Sequence, residues 1–176
     1  FVHDAYGEYA IDKTRLSLGL GLSGWNGLTR FTSSSVGSIM GIDLPLYQEA
    51  TNDVTDQFGR KLSIFAKGKL GKLDYRIAMA QPLAIQKSAG WTSANSIGAN
   101  SSFSANPPKM QYNAYLQYQF LDQESNQTPY ANGTYLGAKR VFNIGAGAMY
   151  QKDAMWRLGT VNDTINSNMI HLAADV

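Results

Sequence analysis

The sequence has little charge for its length and no cysteine. Of 176 residues, 15 are Lys or Arg and 13 are Asp or Glu, so charged residues make up 16% of the chain, against about 25% in typical soluble domains. Gly, Tyr, Ser, Asn and Gln replace them, which is an unusual surface for a soluble protein. Without Cys, disulfides and thiolate metal sites are excluded. The formal net charge of +2, with Lys and Arg spread along the chain, offers no electrostatic footprint for nucleic acid.

A long hydrophobic run is also missing. The longest stretch of apolar residues and Gly covers 144–150, far short of the roughly 20 residues that a membrane-spanning helix needs. The chain starts at Phe1 without a basic region followed by an apolar stretch. We therefore expect a mature or truncated chain from which any targeting signal is absent.

The sequence does contain alternation of apolar and polar residues with a period of two. Within 15–23, Leu occupies every second position, and Arg, Ser or Gly lies between. Residues two apart share one face of a strand, so this spacing predicts a β-strand. Similar alternation predicts strands over 4–11, 61–70, 73–80, 110–120, 142–150 and 170–176, with an eighth if part of 135–139 or 153–158 counts separately. The predicted fold class is all-β.

The connections between these strands alternate in length. Asp12-Lys13 and Gly71-Lys72 are tight turns, whereas 24–59 and 82–109 are long and rich in Ser, Asn and Gly. Short turns at one end and long external loops at the other are typical of antiparallel up-and-down transmembrane β-barrels. We therefore predict one partial barrel domain over residues 1–176, with about seven or eight strands.

The apolar faces of the five clearest strands contain no charged residue. Lys or Arg on the lipid side of such a barrel costs about 2 to 4 kcal/mol at the membrane centre, so this absence favours a membrane location. Aromatic residues near strand ends would form interfacial girdles; they are Trp25, Tyr118, Phe120, Tyr135, Tyr150 and Trp156. The alternative is a soluble β-sandwich or ligand-binding barrel with an aromatic core.

Several stretches resemble Gram-negative outer-membrane porins of the phosphate-selective porin superfamily. These stretches are 4–9, LSLGLGLSGW (16–25), Gly59-Arg60-Lys61, KGKLGKLDYRIAMAQP (67–82) and 114–151. The resemblance implies a barrel of about sixteen to eighteen strands, built by a chain about twice this length. We therefore expect a fragment of a larger porin barrel, with a closed eight-stranded barrel as the competing geometry.

Charged side chains on the faces opposite the predicted lipid side are the candidate pore-lining residues. Rings of charge around a lumen bias which ions enter. The candidates are Glu8, Arg15, Arg30, Lys61, Lys67, Lys69, Asp74, Arg76 and Asp175. Basic members outnumber acidic ones, which predicts a mild preference for anions; alternatively they form cross-strand pairs that stiffen the wall.

The resemblance also implies a constricting loop folded inward, for which Leu28–Leu46, including Arg30, is the best candidate. The family's phosphate-specific members carry a ladder of arginines. No such ladder is visible in this sequence, so phosphate specificity is not expected.

Other motifs give weaker signals. GLGLSG at 19–24 matches a dinucleotide-binding spacing, but it lies within an alternating strand and no amphipathic helix follows. His3 and His171 are isolated, which argues against catalysis by a Ser–His pair. Acidic residues within 43–56 match no dedicated calcium loop, and Asp122 and Glu124 are expected to cap a strand end. No cofactor and no metal are predicted.

The predicted function is a non-enzymatic, passive, water-filled channel in the outer membrane of a Gram-negative bacterium. Its expected partners are outer-membrane lipid, small polar solutes or anions, and other subunits in a homotrimer or a larger envelope complex, but not nucleic acid. One alternative is a structural barrel subunit of a larger outer-membrane complex. Another is a soluble β-domain that binds a ligand or saccharide through Tyr and Trp side chains.

Overall fold

The chain folds into a single antiparallel β-sheet. A computed structural model describes residues 4–30, 60–82, 102–103, 109–158 and 164–176. The strands are β1 (Ala5–Asp12), β2 (Leu16–Ser23), β3 (Lys61–Leu70), β4 (Leu73–Ala80), β5 (Ser102–Phe103), β6 (Gln111–Gln119), β7 (Asn143–Leu158) and β8 (Thr164–Asp175). No helix among these residues is long and apolar enough to cross a membrane.

The sheet is a meander of seven positions. Successive long strands pair in the order β1, β2, β3, β4, β6, β7, β8, and every pairing is antiparallel. The short β5 pairs with β7 through Phe103 and Met155, on the side where β6 pairs through Gln111 and Gln151. β5 and β6 therefore share one position in the sheet, and the all-β, up-and-down prediction is confirmed.

The described strands do not close into a barrel. β1 pairs only with β2 and β8 only with β7 within the described ranges, so both outer strands have a free edge there. A closed eight-stranded barrel is therefore not what these residues form.

The predicted strand ends differ from the observed ones after Tyr150. β7 continues to Leu158, so 153–158 belongs to that strand, and 135–139 lies in turns and bends. The register with β8 shifts between Gln151 and Met155, where Asp153 has a φ of 51°. A bulge of this kind breaks the two-residue period, which explains why alternation predicts the end of β7 and the start of β8 poorly.

Candidate pore-lining face

The two faces of the sheet have the reverse of the polarity found in a soluble sheet. Lys67 and Gln111 are 4% and 0% exposed, whereas Leu20 and Ile64 are 65% and 57% exposed. An antiparallel sheet in water normally packs its apolar face on a core and leaves the polar face solvated. The inner face is the polar side and is largely buried, although Glu8 on the outermost strand is exposed; its residues include Glu8, Ser17, Lys67, Asp74, Gln117, Gly145 and Asp175. The outer face is the apolar, exposed side, with Tyr9, Leu20, Ile64, Ile77, Leu116, Ile144 and Leu172.

Aromatic side chains lie at both ends of the outer face. At the tight-turn end, the Phe120 ring contacts Tyr118 and Phe142, with ring centroids 4.8 and 5.2 Å apart. At the other end of β6, Tyr112 lies opposite Tyr150, and both are exposed. Tyr118 and Phe120 therefore lie near a strand end on the outer face, whereas Tyr150 lies on that face in the middle of β7.

Two of the other predicted girdle residues lie on the inner face instead. Trp25 is almost fully buried and packs against Phe65, with ring centroids 5.7 Å apart. The Tyr135 hydroxyl donates a hydrogen bond to Glu124 Oε1 at 2.9 Å. Both residues lie in connections, where alternation gives no information on direction. The Trp156 side chain lies outside the described part of the chain.

Residues 24–30 cross the inner face from β3 toward β8. The backbone of Leu28 passes over Gly147 on β7 so closely that an added Cβ there would lie 2.0 Å from the Leu28 carbonyl oxygen. Further along, the Arg30 amide donates a hydrogen bond to Asp175 Oδ2 at 3.3 Å. The glycine on β7 is therefore what permits this close crossing.

This crossing includes the first part of the predicted constricting loop. Of Leu28–Leu46, the structure describes 28–30, and these residues do lie on the inner face. The remainder of the predicted loop lies outside the described residues, as do the acidic residues within 43–56 and His3.

A second segment covers the inner face from the tight-turn end. The β6–β7 hairpin continues beyond the strands through hydrogen bonds from Phe120 N to Phe142 O (2.9 Å) and from Asp122 N to Arg140 O (3.0 Å). Residues 123–139, the inner segment, then leave the hairpin and fold back over the polar side. The third connection at this end is therefore long, unlike the tight turns that follow β1 and β3.

Basic side chains of the wall and of the 24–30 crossing hold the inner segment through its backbone. Each donates a hydrogen bond to a different carbonyl oxygen, and hydrogen bonds from charged donors are stronger than neutral ones. The pairs are Lys67 with Asn126 (2.7 Å), Arg76 with Pro129 (3.2 Å), Arg30 with Asn132 (2.7 Å) and Lys69 with Glu124.

Glu124 makes more of these contacts than its neighbours. Its carboxylate accepts two hydrogen bonds from the Arg30 guanidinium, at 2.8 and 2.9 Å, and others from Tyr135 and Asn143. Its backbone amide donates to Gln119 Oε1 at 3.1 Å. The prediction that Glu124 merely caps a strand end was wrong, because one buried carboxylate joins both crossing segments to β7.

The structure brings eight of the nine predicted pore-lining residues to the inner face. Lys67 forms an ion pair with Glu8 at 3.0 Å, and Arg76 lies 3.7 Å from Asp74. Asp175 accepts a hydrogen bond from Tyr115, and Lys61 donates one to Gln111. The ninth, Arg15, is exposed in the turn between β1 and β2.

Four further charged or polar residues of the inner face were not among the predicted pore-lining candidates, because they lie outside the predicted strands or at a strand start. These residues are Asp4, Arg60, Glu124 and Tyr130. All of them except Glu124 form a cluster at the long-loop end. Arg60 Nε donates to Asp4 at 3.1 Å and to the Tyr130 hydroxyl at 3.0 Å. The Tyr130 hydroxyl in turn donates to Asp4. Burial, and then this hydrogen bond, raise the pKa of Tyr130 to about 12.

A polar cavity of about 90 Å³ lies between the wall and the inner segment. Its lining includes Arg30, Asp74, Arg76, Gln117, Glu124 and Asn132. At about 30 Å³ for each molecule in the liquid, this volume holds roughly three waters. This cavity is lined mainly by charged and polar side chains.

Neither a metal site nor a cofactor motif emerges from the described residues. They contain no group of three His, Asp or Glu side chains placed to hold a metal ion. Most of the GLGLSG motif lies inside β2, and His171 is half-buried on the inner face of β8.

No family model, no curated protein and no solved structure matches this chain. The resemblance to porins therefore stays a prediction from the sequence stretches. The structure itself shows an all-β antiparallel meander.

Proposed function

We propose that this chain forms part of the wall of a larger outer-membrane β-barrel, which acts as a passive, non-enzymatic channel for small polar solutes. The observation that carries the proposal is the inverted polarity of the sheet. A charged and amide-rich inner face suits a hydrated lumen, and an apolar outer face suits lipid.

The outer face gives the strongest support. At its strand positions within 5–11, 18–22, 62–70, 73–79, 112–118, 144–150 and 170–176, no residue is charged. Apolar patches beyond a few hundred Å² are rare on soluble monomers and mark contact with a partner or a membrane. Lipid is the partner proposed here, because the patch spans all seven sheet positions and carries aromatic residues at both ends.

The proposal includes further strands beside β1 and β8. In hydrocarbon each unpaired backbone group costs several kcal/mol, so a lipid-exposed sheet cannot keep free edges. Pairing of both edges within a larger barrel satisfies these groups and gives a lumen wide enough for the segments that cross the inner face.

Selectivity is expected to be weak. The described inner face carries six cations, Arg30, Arg60, Lys61, Lys67, Lys69 and Arg76, and five anions, Asp4, Glu8, Asp74, Glu124 and Asp175. Four ion pairs join members of the two sets. Charges that compensate each other this closely produce little net field in a lumen, which favours small polar solutes of either sign.

Conductance of the full-length protein in planar lipid bilayers tests the proposal. We expect stepwise channel openings with little difference between cation and anion permeability. Absence of any channel activity from folded, inserted protein would overturn the channel. Extraction without detergent as a soluble monomer would overturn the membrane location and favour a soluble β-domain.

A second candidate function is a structural barrel subunit of a larger outer-membrane complex. The two segments that cross the inner face favour it, because they occupy the space through which solutes would pass. Co-purification with other envelope proteins in fixed stoichiometry, without conductance, would distinguish this function from a channel.

A further inference from the structure

The β6–β7 connection is far longer than its hairpin requires. Asp122 and Arg140 are paired through both Asp122 N to Arg140 O and Arg140 N to Asp122 Oδ2. Two residues suffice to connect strands in such a position, and Gly71-Lys72 does so at the same end of the sheet. The extra residues 123–139 are therefore not needed to build the wall.

The inner segment is held mainly by polar contacts. Four cations bind its carbonyl oxygens, and the Glu124 carboxylate binds Arg30. Pro129 is buried, but Leu136, its largest aliphatic side chain, is 92% exposed. Docking that depends on charge-assisted hydrogen bonds more than on apolar packing is sensitive to the loss of one charge.

Among the charged groups that dock the inner segment, we expect Glu124 to be the one whose loss matters most. It is 7% exposed, and its carboxylate joins the inner segment to the 24–30 crossing through Arg30 and to the wall through Asn143. A neutral amide in its place keeps the size but removes the charge that compensates the buried guanidinium. The two hydrogen bonds from the Arg30 guanidinium to this side chain would then be weakened.

We infer that the inner segment is a plug across the channel and that Glu124 is the positioning residue that keeps it docked on the inner face. The inference rests on the proposed channel function. With the plug docked, a polar cavity of about 90 Å³ lies between it and the wall. With the plug released, the wall of β4 and β6 faces the lumen directly.

Two variants of the full-length protein test the inference by conductance. In the first, residues 123–139 are replaced by Asn-Gly, a sequence suited to a tight turn between the paired Asp122 and Arg140. In the second, Glu124→Gln removes the charge alone. We expect higher single-channel conductance from the deletion and more frequent high-conductance openings from Glu124→Gln. Asp153→Asn, an equal loss of charge at the β7 bulge, serves as the control and should leave conductance unchanged.

A second readout follows the plug without relying on current. The chain has no Cys, so Ala131→Cys, at the cavity lining, introduces a single thiol. We expect Glu124→Gln to raise its rate of labelling by a water-soluble maleimide about tenfold, the change that accompanies a loss of about 1.4 kcal/mol of docking free energy. Asp153→Asn should leave that rate as it is.

The outcomes separate the two proposals. If the wild type conducts but the deletion conducts no more, the plug is overturned and the channel stands. If Glu124→Gln changes neither conductance nor labelling, the role of Glu124 is overturned. If neither the wild type nor the deletion conducts when inserted, the channel is overturned and the plug with it.

Discussion

The outer and inner faces of the sheet use the same strands but opposite chemistry. The outer face carries Leu, Ile, Tyr and Ala and is exposed, whereas the inner face carries Lys, Asp, Gln and Ser and is covered by two crossing segments. The contacts of the outer face are between neighbouring apolar side chains, such as Phe120 with Tyr118 and Phe142. The inner face needs specific partners, because buried polar groups are costly unless they are hydrogen-bonded. The structural specificity of this protein therefore lies on its polar side.

The largest expected effect comes from placing the same charge on each face. Ile64→Lys puts an ammonium group on the outer face of β3, and we expect it to lower the free energy of unfolding in lipid vesicles by about 2 to 4 kcal/mol. Gln117→Lys puts the same ammonium group on the inner face of β6, beside Asp74 and Glu124, which line the same cavity. We expect this variant to lose much less unfolding free energy. Urea titrations of both variants measure the difference, and equal losses of unfolding free energy would contradict the opposite polarity of the two faces.

A smaller effect is expected where the 24–30 segment crosses the wall. Gly147→Ala adds a Cβ that would lie 2.0 Å from the Leu28 carbonyl oxygen, so the 24–30 crossing must move. We expect a loss of about 1 to 3 kcal/mol, as in other overpacked sites. Gly7→Ala on β1, where an added Cβ meets nothing within 4 Å, is the matched control. Unfolding titrations that show the same change for both would contradict the close crossing.

The smallest expected effect concerns the Tyr130 cluster on the inner face. Because the folded-state pKa of Tyr130 is raised to about 12, the folded protein holds the phenol proton more tightly than the unfolded chain, whose pKa is about 10. The stabilisation is complete below about pH 10 and is lost as the pH rises toward 12. Because Tyr130 is partly exposed to water, we expect the free energy of unfolding to fall by only about 1 kcal/mol over this pH range.

Urea titrations at pH 10 and at pH 12 measure this decrease, and the matched variant is Tyr130→Phe. It removes the titrating hydroxyl and keeps the ring, so the part of the decrease that belongs to Tyr130 should vanish. A decrease of the same size in the phenylalanine variant would assign the effect to another group.

Sequence periodicity predicts most of the wall. In β2, β3, β4 and β6 the two-residue alternation places each side chain on the face where the structure has it, because a strand allows only two directions. The same rule brought Lys67, Asp74 and Arg76 to the inner face. It fails at the β7 bulge, where an irregular backbone changes the direction of the side chains.

The partners on the inner face could not be predicted from the sequence. Arg30 and Glu124 are 94 positions apart, and both lie in connections with no period to orient them. Their meeting depends on how two segments fold back over the sheet, which is a tertiary property. Trp25 is a similar case: its place near a strand end predicts a girdle residue, but packing against Phe65 directs it inward.

The most direct test of the central claim is to measure which face of β6 contacts lipid. Single cysteines at 111–119, in a chain that has none of its own, would carry a fluorophore in the full-length protein reconstituted into vesicles with nitroxide-labelled lipid. We expect quenching with a period of two, strong at outer-face positions such as Leu116 and weak at inner-face positions such as Gln117. Equal quenching along the strand, or stronger quenching at Gln117, would contradict it.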